Sequence, residues 1–155
     1  MKEKTFQHFN PIWGEKANFI IRARIHDSRN DIIEWEQLWA RKTEDNLYEI
    51  CCIPFLIYDV ALGDEVKVDP DHWITEVKKR SGHYTFRVWF GDSKDPTIWE
   101  QVIRETERSG CLFEWYSNNL LAISAPTHDL AVMISGYLLQ KAKSSELVYE
   151  TGQTR

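Results

Sequence analysis

The first half of the chain alternates apolar and polar residues with the period of a β-strand. In the segment 18–26, NFIIRARIH, the apolar side chains fall on one face and the arginines on the other. This alternation is typical of a strand that is buried on one side only. Similar patterns predict strands at 34–42 and 47–53, a short strand at Val66 and Val68, and a strand at 72–79.

These strands define the first of two predicted modules. Residues 17–80 are expected to form a small, strongly curved sheet or barrel. Residues 1–16 precede it as an N-terminal arm, whose three large aromatic side chains can dock on the body.

The second half combines strands with two amphipathic helices. Asp95 and Pro96 mark the start of a helix over 95–110, because they suit the cap and the first helical position. A hairpin follows at 111–125, and a second helix begins at Thr127. Its predicted buried stripe consists of Leu130, Met133, Ile134, Tyr137 and Leu138.

The order of these elements indicates an α+β fold. With strands at 83–90 and 145–150, the module 81–151 is β-α-β-β-α-β, the ferredoxin-like arrangement. We expect the two modules to pack tightly as one folding unit, because no long linker separates them.

The segment 50–66, ICCIPFLIYDVALGDEV, connects strands of the first module. Adjacent side chains on a strand point to opposite faces, so Cys51 and Cys52 are expected to be small buried hydrophobic residues and no metal site is predicted. Gly63 is expected to adopt a positive φ, and Asp64 to accept hydrogen bonds from the turn.

Composition narrows the class of partner. The net charge is −5 and the pI is about 5.5, which argues against nucleic acid. An acidic balance is compatible with a basic protein partner and equally with plain solubility, which is the more common reason for it. We expect no signal peptide, because residues 1–14 carry no apolar core segment, and no apolar stretch is long enough to cross a membrane. Three cysteines do not make a disulfide framework, so we expect a cytoplasmic protein.

Two groups of residues are candidates for binding. An acidic patch with one aromatic side chain is the predicted contact for a basic protein. It consists of Glu34, Glu36, Trp39, Glu44 and Asp45. A polar row on the strand 83–90 has two interpretations: it is the solvated face of a half-buried strand, or, together with the turn carboxylate, it is the contact for a small ligand. This second group consists of Asp64, His83, Arg87 and Trp89.

Three motifs carry a family resemblance: WEQLWARK (35–42), CIPFLIYDVALGDEV (52–66) and SGHYTFRV (81–88). In order and spacing they resemble a bacterial family of small proteins that is defined only as a domain of unknown function. The resemblance implies one compact cytosolic domain and carries over no catalytic residue. Small bacterial proteins of this kind include immunity proteins, which neutralise a toxin made by the same cell.

The sequence therefore supports three hypotheses. The first is a non-catalytic immunity protein that binds a basic toxin domain, without a cofactor. The second is a small-molecule sensor or regulatory domain, which a symmetric homodimer stabilised by a ligand would favour. The third is an enzyme with His83 as acid or base and Asp64 as its orienting group; it ranks last, because no known catalytic motif is present.

Overall fold

A computed structural model describes residues 2–25, 32–92 and 95–154. Within these residues the chain is a mixed α+β protein with two sheets and two helices. The strands are β1 (Lys2–Phe6), β2 (Phe19–Arg24), β3 (Ile32–Glu44), β4 (Leu47–Ile50), β5 (Glu65–Val68), β6 (Ile74–Lys79), β7 (Tyr84–Trp89), β8 (Leu112–Trp115), β9 (Leu120–Ala125) and β10 (Val148–Thr151). The helices are α1 (Pro96–Arg108) and α2 (His128–Lys143).

The first sheet is built around the long strand β3. Strands β3, β4, β5 and β6 follow one another as an antiparallel meander, and β2 pairs with the other edge of β3. The Arg22 N–H donates to the carbonyl of His72 at 2.8 Å, next to a parallel bridge between Arg22 and Trp73. Because this bridge joins β2 to the β6 end of the meander, the sheet curls back on itself around a common apolar core.

The N-terminal arm is part of this sheet. Strand β1 pairs in parallel with Ile32–Glu36 of β3, and the Trp13 N–H donates to the Cys51 carbonyl at 3.0 Å. Residues 1–16 were expected as an appendage to the first module. Parallel pairing joins segments far apart in the chain, and the short polar stretch KEKTF carries no alternation that would predict it.

The second sheet has the strand order β10-β7-β9-β8, and all its neighbours are antiparallel. Both helices cover one of its faces, where the core includes Val88, Val102, Ile123 and Ile134. The predicted caps are present: the Asp95 carboxylate accepts from the Thr97 N–H, and the Thr127 hydroxyl accepts from the Leu130 N–H. No helix in the described residues has the length and apolarity to cross a membrane.

One position of the predicted α2 stripe is wrong. Ile134 and Leu138 are buried, but Met133 is 54% exposed. The inner face of α2 is completed by Ala131 instead, so Met133 lies on the outer face.

The segment between β4 and β5 lies between the two sheets. Cys52 and Ile57 belong to the core of the first sheet, whereas Ile53 and Phe55 pack against Ala122 of the second. We call residues 51–62 the crossover. It covers the face of the second sheet that the helices leave open.

A buried histidine between two carboxylates joins the arm to both sheets. His8 Nε2 lies 2.6 Å from Glu36 Oε2 on β3, and His8 Nδ1 lies 2.9 Å from Glu114 Oε1 on β8. The His8 ring also stacks on Phe55, with the centroids 4.0 Å apart. We call His8, Glu36 and Glu114 the buried network.

The same carboxylates hold the crossover by its backbone. Glu36 accepts from the N–H groups of Phe55 (2.7 Å), Leu56 (2.9 Å) and Ile57 (3.2 Å). Glu114 accepts from the N–H of Ile53 at 2.5 Å. Glu36 was expected on an exposed face, which is wrong: it is fully buried, because three backbone donors and an imidazole replace its water.

The network keeps charges of both signs out of water. Burial disfavours the imidazolium, but the hydrogen bonds that link the ring to Glu114 and Glu36 act against burial, and the pKa of His8 is raised above 6.5. The carboxylates supply this stabilising charge, because burial raises the pKa of the Cys52 thiol and keeps it protonated. Burial also acts to raise the pKa of Glu36, but the hydrogen bonds and charge of His8 and the backbone donors leave that pKa below 4.5.

Removing the His8 imidazolium should therefore lower the free energy of unfolding. In His8→Gln two carboxylates remain buried without a positive partner, and we expect a loss of roughly 3–5 kcal/mol in the free energy of unfolding by urea. The control is Lys42→Ala, which breaks the exposed pair between Lys42 and Asp45 and should change stability little. A His8→Gln protein as stable as this control would contradict the role of the network.

The stabilisation by His8 should also depend on pH. Because the pKa of His8 is raised on folding, its contribution is complete below pH 6.5 and is lost as the pH rises. We expect the stability difference between the native protein and His8→Gln to shrink above pH 6.5 by up to about 1.4 kcal/mol per pH unit. Urea titrations from pH 6 to 8.5 measure this difference, and a difference that stays constant would show that His8 is not charged when folded.

Candidate functional site

A polar cleft lies where the end of the crossover meets the start of β7. Its volume is about 270 Å³, close to the lower limit for small-molecule sites. It draws on three separate segments, the end of the crossover, the turn before β7 and the C-terminal tail. The polar side chains that line it are Asp59, Asp64, Arg80, His83, Tyr84 and Gln153.

Asp64 forms the floor of the cleft. Its carboxylate accepts from the N–H of Ala61 at 2.9 Å and from the N–H of Ser81 at 2.8 Å, as the turn chemistry predicted. The preceding Gly63 has a φ of +83°, and a Cβ there would lie 3.0 Å from Ser81 Cβ. Glycine is therefore required at this position for both its conformation and its size.

Arg80 brings a cation to the mouth of the cleft. Its guanidinium lies 3.5 Å from the Asp64 carboxylate and remains about half exposed. It also donates to the backbone carbonyl of Asp59. These contacts hold the guanidinium at the rim, where part of it faces solvent.

His83 forms one wall. Its Nδ1 lies 2.9 Å from Ser124 Oγ, and Trp13 of the N-terminal arm meets its ring edge-on, with centroids 5.8 Å apart. Burial lowers the pKa of His83 below 6.5, although the Asp64 charge acts in the opposite direction. The imidazole is therefore neutral at neutral pH and offers a donor or an acceptor, not a charge.

The rest of the predicted polar row does not reach this cleft. Arg87 is 3% exposed, because the crossover covers its side of β7. Its guanidinium donates to the carbonyl of Ile57 and stacks on Tyr58, 4.9 Å from the ring centroid. Trp89, at the other end of the strand, is 48% exposed. The expectation that His83, Arg87 and Trp89 share one exposed face is thus wrong for Arg87.

The predicted acidic patch is not continuous. Glu36 is buried in the network, and Glu34 is half-buried. Glu44 and Asp45 are exposed, but Glu44 lies ten residues further along β3 than Glu34, a distance of roughly 33 Å along the strand. Of the four acidic residues predicted for the patch, only Glu44 and Asp45 at the hairpin are therefore exposed neighbours.

Trp39 instead lines a shallow apolar depression on the first sheet. The depression has a volume of about 400 Å³ and includes Phe19 and Ile20 of β2. The Trp39 Nε1–H donates to the backbone carbonyl of His8 at 3.2 Å. One edge of this ring is thereby fixed.

Neither the cysteines nor the buried network has the setting of a reactive centre. All three thiols are free and buried, and burial raises the pKa of Cys51 to about 11 and also raises that of Cys111. Such thiols are poor nucleophiles. In the described part of the chain, no group of three or more potential ligands is arranged to hold a metal ion. The network is closed to solvent, with His8 3% and Glu36 0% exposed.

Several lining residues of the cleft have no signal in the sequence. Arg80 lies in a polar turn and Gln153 in a polar tail, so only the fold brings them to His83. The buried network leaves a trace at one position only, because Glu114 interrupts the apolar strand LFEW, whereas Glu36 lies among other polar residues of β3. A charged residue in such a strand indicates a buried partner, but not which one.

Comparison with known proteins identifies a family and a fold. A family model described as a domain of unknown function, DUF4265, matches residues 36–149. No curated protein matches the sequence. A solved structure titled "Novel crystal structure of a hypothetical protein from Neisseria gonorrhoeae" is similar, with a TM-score of 0.73 and 18% identity over 88% of this chain and 96% of that one.

At this identity the structural likeness concerns the fold alone. The family model, in contrast, spans well over half of the chain. The protein belongs to the DUF4265 family of domains of unknown function.

Proposed function

We propose that this chain is a non-catalytic, small-molecule-binding sensor or regulatory domain, and that the cleft at His83 is its ligand site. The observation that carries the proposal is the convergence of Asp64, Arg80 and His83 on one cavity from two turns, one before β5 and one before β7. A cavity with a few convergent polar groups and a histidine of shifted pKa is the usual setting of a ligand site.

The lining indicates the kind of ligand. Arg80 offers a partly exposed guanidinium, which suits a carboxylate or phosphate oxygen. The buried Asp64 carboxylate lies behind it, and the neutral His83 supplies a further hydrogen bond. A compact polar molecule with both an acidic group and a hydrogen-bond donor, of about the size of an amino acid, fits the volume.

Binding is better supported than catalysis. The Asp64 carboxylate is engaged by two backbone N–H groups and Arg80, and His83 Nδ1 faces Ser124. Ser124 is fully buried, so its hydroxyl is closed to a substrate. We therefore rank an enzyme that uses His83 as acid or base below a binding protein.

Two finer assignments accompany this proposal. The element order and the antiparallel order β10-β7-β9-β8 support a ferredoxin-like second module. Three free, buried thiols support a reducing compartment, which we take to be the cytoplasm.

A thermal-shift screen with free amino acids, hydroxy acids and nucleotides tests the cleft. We expect at least one compound to raise the melting temperature, because a ligand that binds only the folded state stabilises it. Both Arg80→Ala and His83→Ala should abolish the shift, while Arg104→Ala, an exposed arginine on α1, should retain it. A shift that persists in both cleft variants would show that the ligand binds elsewhere.

Neutralisation of a toxin is the second candidate. Its support is the depression at Trp39, where an aromatic ring and the apolar side chains of Phe19 and Ile20 reach the surface. The exposed carboxylates of Glu44 and Asp45 on the same sheet suit a basic partner. Aromatic anchors of this kind dominate the affinity of many protein interfaces.

Affinity purification from the native cells, followed by native mass spectrometry, tests this second candidate. We expect a stoichiometric basic protein whose binding falls by more than tenfold in Trp39→Ala, because the anchor is lost. The matched control is Trp115→Ala, an exposed tryptophan of the other sheet. Recovery of the bare chain, or equal losses in both variants, would argue against an immunity role at this surface.

A further inference from the structure

The outer face of α2 is apolar at its centre and charged at its two ends. Val132, Met133 and Leu139 are 59%, 54% and 45% exposed. The inner face of the helix is already covered by the second sheet and α1. Three large apolar side chains on an outer helix face are characteristic of a surface that another protein covers.

The residues on this face are placed symmetrically about Gly136. Met133 precedes it by three positions and Leu139 follows it by three; Asp129 precedes it by seven and Lys143 follows it by seven. Positions three, four and seven apart lie on one side of a helix. All five residues are exposed.

We propose that a second copy of this chain covers this face, with the two α2 helices antiparallel and crossing at Gly136 on a two-fold axis. In this arrangement Met133 faces the partner's Leu139, and Asp129 faces the partner's Lys143. Each of these contacts occurs twice, as a self-complementary interface requires. The proposal does not depend on the ligand cleft.

The charges at the ends are available for such a contact. Asp129 lies in the first turn of α2 and Lys143 in its last turn. Among the ion pairs of the described residues, neither side chain has a partner, whereas the neighbouring Lys141 is engaged by Glu146 and Gln101. The charge complementarity decides in favour of a second copy, because the same helix carries both halves of each pair.

Gly136 suits the crossing point. A Cβ added there would meet nothing within 4 Å, so the glycine is not required by packing inside the chain. At a helix crossing, the absence of a side chain lets the two backbones approach closely. An interface of one helix from each protomer is small, so we expect reversible dimerisation.

Sedimentation velocity over a series of concentrations tests the dimer. At low ionic strength the native chain should pass from monomer to dimer. Asp129→Lys and Lys143→Asp should each raise the dissociation constant at least tenfold, because like charges then face each other twice. The double variant Asp129→Lys/Lys143→Asp should restore the dimer. Glu100→Lys, an exposed acid of α1, is the control and should not change it.

A second variant separates the interface from helix stability. Gly136→Gln fills open space in the monomer, so the circular dichroism spectrum should be unchanged while dimerisation weakens. A native chain that remains monomeric throughout would overturn the proposal. A dimer that resists both single charge reversals and Gly136→Gln would overturn it too, since another surface would then join the copies.

Discussion

The rest of the structure depends on a positive charge held between two buried carboxylates. Neither Glu36 nor Glu114 can be buried alone without a large loss of hydration free energy. His8, supplied by the N-terminal arm, compensates both at once. Because Glu36 belongs to the first sheet and Glu114 to the second, the charge balance is complete only when the arm and both modules are assembled.

This constraint also explains why a cleft exists where the end of the crossover meets the start of β7. The two carboxylates bind the backbone of the crossover from Ile53 to Ile57. The chain downstream of this anchor turns through Gly63 into β5, and Asp64 then fixes the turn before β7. The cleft is the space left between these two restrained turns. Hydrogen bonds to Asp64 restrain both turns, as a preformed ligand site requires.

Local signals predicted most of the elements but not the contacts between distant segments. The helix starts were predicted correctly because the N-caps, Asp95 and Thr127, bond backbone N–H groups only two or three residues away in the chain. The pairing of β1 with β3 and the burial of Glu36 both depend on partners that are distant in the chain. The His8 that pairs with Glu36 also pairs with Glu114, which lies 106 positions from His8. The predicted burial of Met133 was wrong for a different reason. Periodicity identifies an apolar residue on a helix, but it does not show whether the rest of the chain or a neighbouring molecule covers that residue. In the cleft, the sequence indicated Asp64 and His83, whereas Arg80 joins them only through the fold.

The charge state of His8 is the most direct test of this account. Nitrogen NMR of imidazole-labelled protein at pH 8 distinguishes a ring with protons on both nitrogens from a neutral ring. We expect the His8 ring to carry both protons, because Glu36 and Glu114 each accept a hydrogen bond from one ring nitrogen, while His83 is neutral under the same conditions. A neutral His8 ring at pH 8 would contradict the central claim, since the network would then lack the cation that joins the two sheets.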